Sequence, residues 1–520
     1  MLLAILWFAR FNPIVAFAPG TDSGLYLYIG QQLLKGAMPY RDVFDNKGPL
    51  LYLVNALGLA LGAGSFWGVY VLEYCLLAAS TVLTYLVLKA RVGWLVAALA
   101  ALFFVLEVGV GHIAGDNHEE EYAVVLQCLA LFLLFRKPST EPRLLLWFVS
   151  GLLAAGAFFL KPTGLGFWGA PLITVLLICL STGEWRKWLR RVFVGVAGAA
   201  AASAALLVYL AVAGALGLFV ADYFGFNFMY VGTHGMADRL SSIGYGAGQL
   251  GYLAVAAVLV AWMLTLRRVL RREGERTDGD VLALLTVIWL PVEVVLAATS
   301  GYSRVQYYFP WLLPATLLLA FGLVELPKLG RRAPEGRRLS LGWTAAALLA
   351  AVAFAGLLTP TATILHNLAG SVLHYRSYSA TTSQAEQIAA YVDARTAPGD
   401  EVLVWGGYNA TVNLLAERRS PTRYVMQLAL YHEGYAASGV PEFLRELKAH
   451  PPALILDTSP TYGQAWGVAV PPLAATSNPW ASSPAPVAAA WAAVYSYLHE
   501  HYRSAGRLEF TPGWPVYVPR

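Results

Sequence analysis

The sequence predicts a polytopic all-α membrane protein of about eleven transmembrane helices, with a small α/β domain outside the membrane at its C-terminal end. Three observations predict it. Of the 520 residues, 58% are hydrophobic and only 13% charged, where an ordinary soluble domain carries roughly 25% charged residues. Apolar stretches near the length of about 20 residues that a bilayer core demands recur as far as residue 360. Beyond it the pattern changes to short amphipathic and alternating segments.

The chain opens with Met1–Ala9, which is too short to span before Arg10 and lacks the basic residues that precede a cleavable signal peptide. This points to a late start or a partly lost first helix. A polar loop follows, Thr21 to Pro49, which sets Asp22, Arg41, Asp42, Asp45 and Lys47 between strongly apolar segments. Charges at a membrane face are costly unless they serve a purpose. Asp22 or Ser23 can cap a helix through LYLYIGQQLL, ended by Gly36 and Pro39. Pro49 opens a second helix, LLYLVNALGLAL, too short to span and predicted to lie in the interface. Further spans are expected near 66–88, 92–110, 120–135, 144–160, 164–181, 192–219, 248–266, 281–299, 309–325 and 340–358, which with the first segment makes eleven.

Alternate loops differ in charge. Loops 89–91, 136–143, 186–191, 267–276 and 328–338 hold nineteen Lys and Arg, against six (Lys35, Arg41, Lys47, Lys161, Arg239, Arg304) in the others. The positive-inside bias places the first set in the cytoplasm together with the N-terminus, and the polar loop and tail outside. It also explains the net charge of +5 without a nucleic-acid partner. Cys75, Cys128 and Cys179 fall inside apolar runs, so neither a disulfide framework nor a CxxC motif is available.

The second external loop reads GHIAGDNHEEEYAVV. Asp116, Glu119, Glu120 and Glu121 at the start of a span suit the helix dipole, yet three consecutive glutamates exceed what a cap requires, and at least one must face the bundle. LKPTG puts Lys161 and Pro162 where one span ends and the next begins, as a snorkelling anchor also would. Residues 220–247 read as an external loop rich in aromatics and glycine, and GYSRVQYYFPW sets Arg304 among Tyr302, Tyr307 and Tyr308. Glu73, Glu107 and Glu293 lie within spans. The tail, 361–520, reads as helix, Pro-Gly-Asp turn and strand in AEQIAAYVDARTAPGDEVLVWGG. A helix in PEFLRELKAH, a strand in PALILDT, a Pro/Ala/Ser-rich loop at 471–488, a last helix near 489–502 and strands around RLEF and WPVYV follow. The sequence thus divides into a membrane domain, 1–360, with juxtamembrane helices in 19–65, and a soluble domain.

The loop TDSGLYLYIGQQLLKGAMPYRDVFDNKGPLLY resembles the first extracytoplasmic loop of the GT-C glycosyltransferases, in their aminoarabinose-transferase and protein O-mannosyltransferase-like branch. The resemblance covers roughly residues 1–330. It implies a GT-C fold and an inverting transfer of a hexose or pentose from a polyprenyl-phosphate donor to an envelope lipid, glycan or protein acceptor at the outer face of the plasma membrane. Asp22 matches that branch's catalytic acid. Asp45 with Lys47 matches an acid-x-Lys-Pro-like turn at the donor phosphate and metal, although Asn46 and Gly48 depart from its spacing. DNHEEEYA is similar to a second acidic element, carried to Glu120 or Glu121. LKPTG and SRVQYY are similar to later Lys-Pro and Arg…Tyr elements, with Gln306 where the pattern has His. GDEVLVWGGYNATVNLLAERRSPTRY is similar to the periplasmic tail of such proteins.

The residues suit that chemistry, which needs a base for the acceptor and cations or a metal for the departing phosphate. Asp22 and the 119–121 glutamates are candidate bases or ligands for Mg²⁺ or Mn²⁺, with Asp45 as metal ligand or second acid. Lys47, Lys161, Arg304 and Arg41 are candidate phosphate binders. The bland readings are a helix cap for Asp22 and a surface pair, worth about 0–1 kcal/mol, for Asp45 and Lys47. Histidine spacing predicts no zinc site, and no P-loop supports an ATP-driven pump. The sequon Asn409-Ala410-Thr411 matters only where N-glycosylation occurs. A transporter or flippase of a lipid-linked or small solute is the rival reading; it predicts internal repeats, which are not visible. A scaffold gives no reason for charge on one side.

Overall fold

The structure, a computed structural model, describes residues 20–110, 117–137, 142–232, 234–271, 277–329, 335–355, 384–406, 410–462, 471–475, 480, 483–510 and 513–520. The expectations placed on Met1–Ala9, Arg10, Asp116 and Asn409 fall outside them. The described chain forms two compact units, each discontinuous in sequence: a helical unit of residues 70–208 and 231–355, and a mixed unit of residues 20–69, 209–230 and 384–520.

Among the described residues, six helical stretches are long and apolar enough to cross a membrane: Trp67–Val92, Pro162–Thr182, Trp185–Val212, Tyr252–Leu270, Asp278–Ala298 and Val305–Lys328. This is a multi-pass membrane protein. The helices Trp94–Val110, Glu119–Phe135, Leu144–Leu160 and Glu335–Ala355 lie where further spans were expected. Local chemistry sets the ends. Thr277 opens Asp278–Ala298 in a capping box, its backbone N–H reaching the Asp280 carboxylate at 2.9 Å. Gly183, at φ 75°, closes the helix before it can continue into Trp185–Val212. A Cβ at Gly151 would collide with the Gly195 carbonyl, and one at Gly198 with that of Phe148. Small residues thus bring two helices close, as apolar surroundings favour. The interior is a continuous apolar cluster containing Phe104, Leu131, Phe167, Trp289, Tyr308 and Phe321.

Two expectations for this stretch are corrected. The span drawn at 192–219 is the helix Trp185–Val212, because Arg186, Lys187, Arg190 and Arg191 sit within its first turns rather than ahead of it. The loop drawn at 220–247 is helical: a π-helical segment Val220–Phe226 runs into Asn227–Val231, and Met236–Leu250 follows. Gly235 starts that last helix, its N–H held at 3.0 Å by the Asp238 carboxylate, a local cap that outweighs the glycines within.

The mixed unit is built on a four-stranded sheet of β1 (Val402–Trp405), β2 (Leu454–Asp457), β3 (Tyr502–Arg507) and β4 (Pro515–Pro519), in the order β1-β2-β4-β3. β1 and β2 are parallel, with Val402 opposite Leu454, and the helix Glu433–Ala449 lies between them in sequence. β4 runs antiparallel to β2 and β3. The strand expected around RLEF lies earlier, because Tyr502–Arg507 carries polar, outward residues that hide it from a hydrophobic pattern, while Leu508 already turns back with its N–H on the Trp514 carbonyl at 3.0 Å. The last helix is Ala485–His501. Tyr431, Trp480 and Trp491 stack on one another, ring centroids 5.4–5.7 Å apart, and Trp480 packs against the core cluster that contains Trp405.

The same unit holds the helices Thr21–Leu34 and Pro49–Leu61. They touch where Gly30 leaves no room for a Cβ against Ala56 and Asn55. Gly24 likewise abuts Thr411, Gln31 Nε2 donates to the Leu414 carbonyl at 3.3 Å, and the Ser420 N–H donates to Tyr28 at 3.0 Å.

Candidate functional site

Asp22 lies in the first turn of Thr21–Leu34, half-buried. Contrary to expectation neither Asp22 nor Ser23 is the N-cap; Gly20 is, and no side chain caps the helix. Its carboxylate still suits the helix dipole. The helix ends at Lys35, and Gly36 turns the chain at φ 89°. A tight turn follows, in which the Tyr40 N–H donates to the Val43 carbonyl at 2.8 Å. Arg41 grips Asp42 with Nε at 2.9 Å and Nη2 at 2.7 Å and donates Nη1 to the Ala213 carbonyl at 2.9 Å, so its guanidinium is already engaged.

Asp45 is buried. Its Oδ1 accepts from the Asn46 N–H at 2.7 Å and its Oδ2 from the Tyr52 hydroxyl at 2.8 Å. Burial pushes its pKa up to about 7, with the charge of Asp22 adding to the rise and Lys47 and the two hydrogen bonds opposing it. The Lys47 backbone is fixed because its carbonyl accepts from the hydroxyls of Tyr40 at 2.6 Å and Tyr52 at 3.3 Å; its side chain is half-buried.

What holds this loop is a buried network that the sequence did not reveal. Arg423 donates Nη1 to Asp222 at 2.7 Å and to the Tyr40 carbonyl at 2.8 Å, Nη2 to the hydroxyls of Tyr424 and Tyr435 at 3.1 and 2.8 Å, and Nε to Glu442 at 3.3 Å. Burial opposes the Arg423 charge, but Asp222 more than offsets it and holds the guanidinium above its ordinary pKa. The Phe44 N–H returns to the Arg423 carbonyl at 2.7 Å, and Asn227 bonds both the Asn46 side chain and its carbonyl, at 3.1 and 2.7 Å.

The helical unit carries a second cluster. Asn117, at φ 60°, accepts from the Tyr122 hydroxyl at 2.6 Å and turns the chain into Glu119–Phe135. Glu119, Glu120 and Glu121 are all buried. Lys161 follows Leu144–Leu160 in extended conformation, and the turn Pro162–Leu165 beyond it is pinned by Gln127, whose Nε2 donates to the Gly164 carbonyl and to Glu293, both at 3.0 Å. Lys161 Nζ pairs with Glu120, lies 3.4 Å from Glu119 Oε1, and sits 3.6 Å from the ring centroid of Tyr307. The LKPTG, EEE and SRVQYY segments therefore meet. Arg304, half-exposed, opens the 3₁₀ turn that carries Tyr307. His118 joins the cluster: ligand atoms of His118, Glu119 and Glu120 lie within 4.8 Å of one another. His118 Nδ1 and Glu120 Oε2 are buried with no hydrogen-bond partner among the described residues. This mixed N/O set fits a divalent cation such as Mn²⁺ or Mg²⁺, with Lys161 competing for the same carboxylates.

A multi-pass helical frame, two short helices flanking a charged turn and a small mixed-sheet unit are the elements of a GT-C fold, and the likeness to solved structures shows that fold. The ArnT of Cupriavidus metallidurans bound to undecaprenyl phosphate matches with a TM-score of 0.60 at 14% identity, over 88% of this chain and 92% of that one. The apo oligosaccharyltransferase of Archaeoglobus fulgidus matches at 0.54 and 13%, over 98% and 79%. The chain belongs to the family described as the putative competence-induced protein Ccs4 N-terminal domain, which it matches over residues 6–372. The undecaprenyl phosphate-alpha-4-amino-4-deoxy-L-arabinose arabinosyl transferase of Pseudomonas aeruginosa (strain LESB58) is 30% identical over 318 residues, 59% of this chain and 55% of that protein. The chain spans about half the length of the curated relatives it matches.

Proposed function

We propose that this protein is an integral membrane glycosyltransferase that moves a hexose or pentose from a polyprenyl-phosphate donor to an envelope lipid, glycan or protein acceptor. The observation that carries the reading is the buried cluster of Glu119, Glu120, Lys161 and His118, in which Glu120 Oε2 and His118 Nδ1 have no partner among the described residues. Buried acids are retained at such cost where they do chemistry. The similarity to an arabinosyl transferase and to an ArnT bound to undecaprenyl phosphate supports it.

In this mechanism Asp22 takes the proton of the acceptor hydroxyl as that oxygen attacks the anomeric carbon, and the bond from that carbon to the donor phosphate breaks with inversion. Lys47 stabilises the departing phosphate, and on the family pattern Lys161 and Arg304 are the other candidates for that role. Arg41 contributes only if Asp42 releases it. Asp45, Glu120 and Glu121 are second acids or ligands, and a divalent cation held by His118, Glu119 and Glu120 would add positive charge for the phosphate. The nineteen-to-six loop asymmetry supports a cytoplasmic N-terminus, with the polar loop and residues 361–520 on the outer face, where the tail orients the acceptor.

The test is transfer by purified protein in detergent, with no gradient, from polyprenyl-phosphate sugars. Asp22→Asn is expected to lower turnover about 10²–10⁴-fold while binding of a polyprenyl-phosphate analogue survives. If Asp22 served only the helix dipole, Asn would cost about 0.3–1 kcal/mol of stability and leave turnover alone, which would move the base to Glu120 or Glu121. Wild-type protein that transfers nothing from any such donor overturns the reading.

A further inference from the structure

We infer that the cation-rich end of the helical unit binds an anionic phospholipid, its phosphate in a cleft between the helices Tyr252–Leu270, Asp278–Ala298 and Leu312–Leu329 and an acyl chain along the outer face of the first. The cleft measures about 300 Å³ and is lined by Arg267, Arg268, Arg271, Lys328, Asp280 and Glu325, with Leu264 as its apolar wall. Four cations face two carboxylates, and both carboxylates are committed. Asp280 Oδ1 accepts from Arg268 Nε at 2.9 Å while its other oxygen caps its own helix; Glu325 Oε1 accepts from Arg268 Nη1 at 3.2 Å and Lys328 Nζ at 2.7 Å. Arg268 is thereby fixed as a rigid floor, its guanidinium 5.5 Å from the Phe321 ring centroid. Arg267 and Arg271 pair with no carboxylate among the described residues.

Basic residues at a helix C-terminus are favoured by the dipole and by the positive-inside bias, and neither explains a concave arrangement. The helix itself points to a lipid. At 100° per residue, Leu253, Val260, Leu264, Arg267 and Arg271 fall on one stripe of Tyr252–Leu270. Leu253 and Val260 are exposed, Leu264 enters the cleft wall, and the two arginines end the stripe. An apolar track running into a cationic cleft complements a molecule with a long chain and a phosphate headgroup; a free phosphate uses only half of it.

The test measures binding of a fluorescent phosphatidylglycerol to purified full-length protein in a zwitterionic detergent, and needs no turnover. Arg267→Ala/Arg271→Ala is expected to weaken binding roughly 30-fold, at about fivefold per charge, and Arg271→Ala alone about fivefold. The pair Arg190→Ala/Arg191→Ala, which removes as much charge from another basic segment, is expected to leave binding unchanged. Equal loss in both double variants would reduce the effect to general surface attraction and overturn the proposal. Displacement of the lipid by millimolar inorganic phosphate would make the cleft a site for a free anion and overturn it too. If the double variant fails to fold, the single Arg271→Ala variant decides.

Discussion

Each unit holds a knot of buried charge, and the two differ in how fully their polar atoms are used. In the mixed unit Arg423 donates to five acceptors, and Asp222 also accepts from Tyr435 at 3.0 Å. In the helical unit Lys161 answers to Glu119 and Glu120, yet Glu120 Oε2 and His118 Nδ1 are buried with no partner among the described residues. A satisfied network fixes geometry, because every group has exchanged water for a partner. An incomplete one carries a desolvation cost of about 1–3 kcal/mol per group that an ordered water, a proton or a ligand relieves. The Arg423 knot therefore reads as a brace for the Tyr40–Asn46 turn, and the Lys161 knot keeps polar atoms open for the chemistry proposed above.

The largest effect that could break this contrast is expected at Glu120. Glu120→Gln preserves size while removing the charge, and Glu119 remains to pair with Lys161, so thermal unfolding should move little. Turnover should fall about 10²–10⁴-fold if Glu120 acts in the reaction as an acid or ligand. A Glu120→Gln protein with wild-type turnover would make this cluster a brace like the other.

Arg423→Ala comes next and tests the opposite half. It leaves Asp222 buried without its cation, with only the Tyr435 hydroxyl still donating to it, which is expected to cost about 3–5 kcal/mol, seen as a lowered melting temperature. Amide exchange at Phe44, whose N–H is held by the Arg423 carbonyl, should quicken as the turn loosens. Arg423→Lys keeps the charge without the planar fork and should fall between the two. An Arg423→Ala protein that melts like wild type would deny the network its bracing role.

These clusters were not equally legible. DNHEEEYA and LKPTG stand out because charge is conspicuous in an apolar sequence, and the structure brings Glu120 and Lys161 into contact. Asp222 sits in LFVADYFGF and Arg423 in SPTRY, 201 residues apart. No local pattern pairs them, and the π-helical turn that aims Asp222 has no periodicity to read. For the same reason composition separates residues 1–360 from the tail, whereas by contacts residues 20–69 and 209–230 group with it. The helices themselves were readable, since apolar length and Gly or Pro punctuation set them locally; their first turns were less so, because Gly20 and not Asp22 begins Thr21–Leu34.

The smallest effect sharpens the comparison inside the first loop, where Asp45 stands between the two cases. Both its oxygens accept hydrogen bonds, yet burial still pushes its pKa from 3.8 up to about 7. A carboxyl raised on folding keeps its proton in the native state at pH values where the unfolded chain has lost it. Its contribution to stability is thus complete below about pH 4 and declines as the pH rises through 7, by at most about 1.4 kcal/mol per pH unit. Melting temperature should accordingly fall between pH 5 and 7.5. Tyr52→Phe removes a donor that favours the carboxylate, so the decline should extend to higher pH. Asp45→Asn cannot titrate and should flatten this part of the profile; an unchanged slope in that variant would assign the decline to another group and leave Asp45 charged beside Lys47.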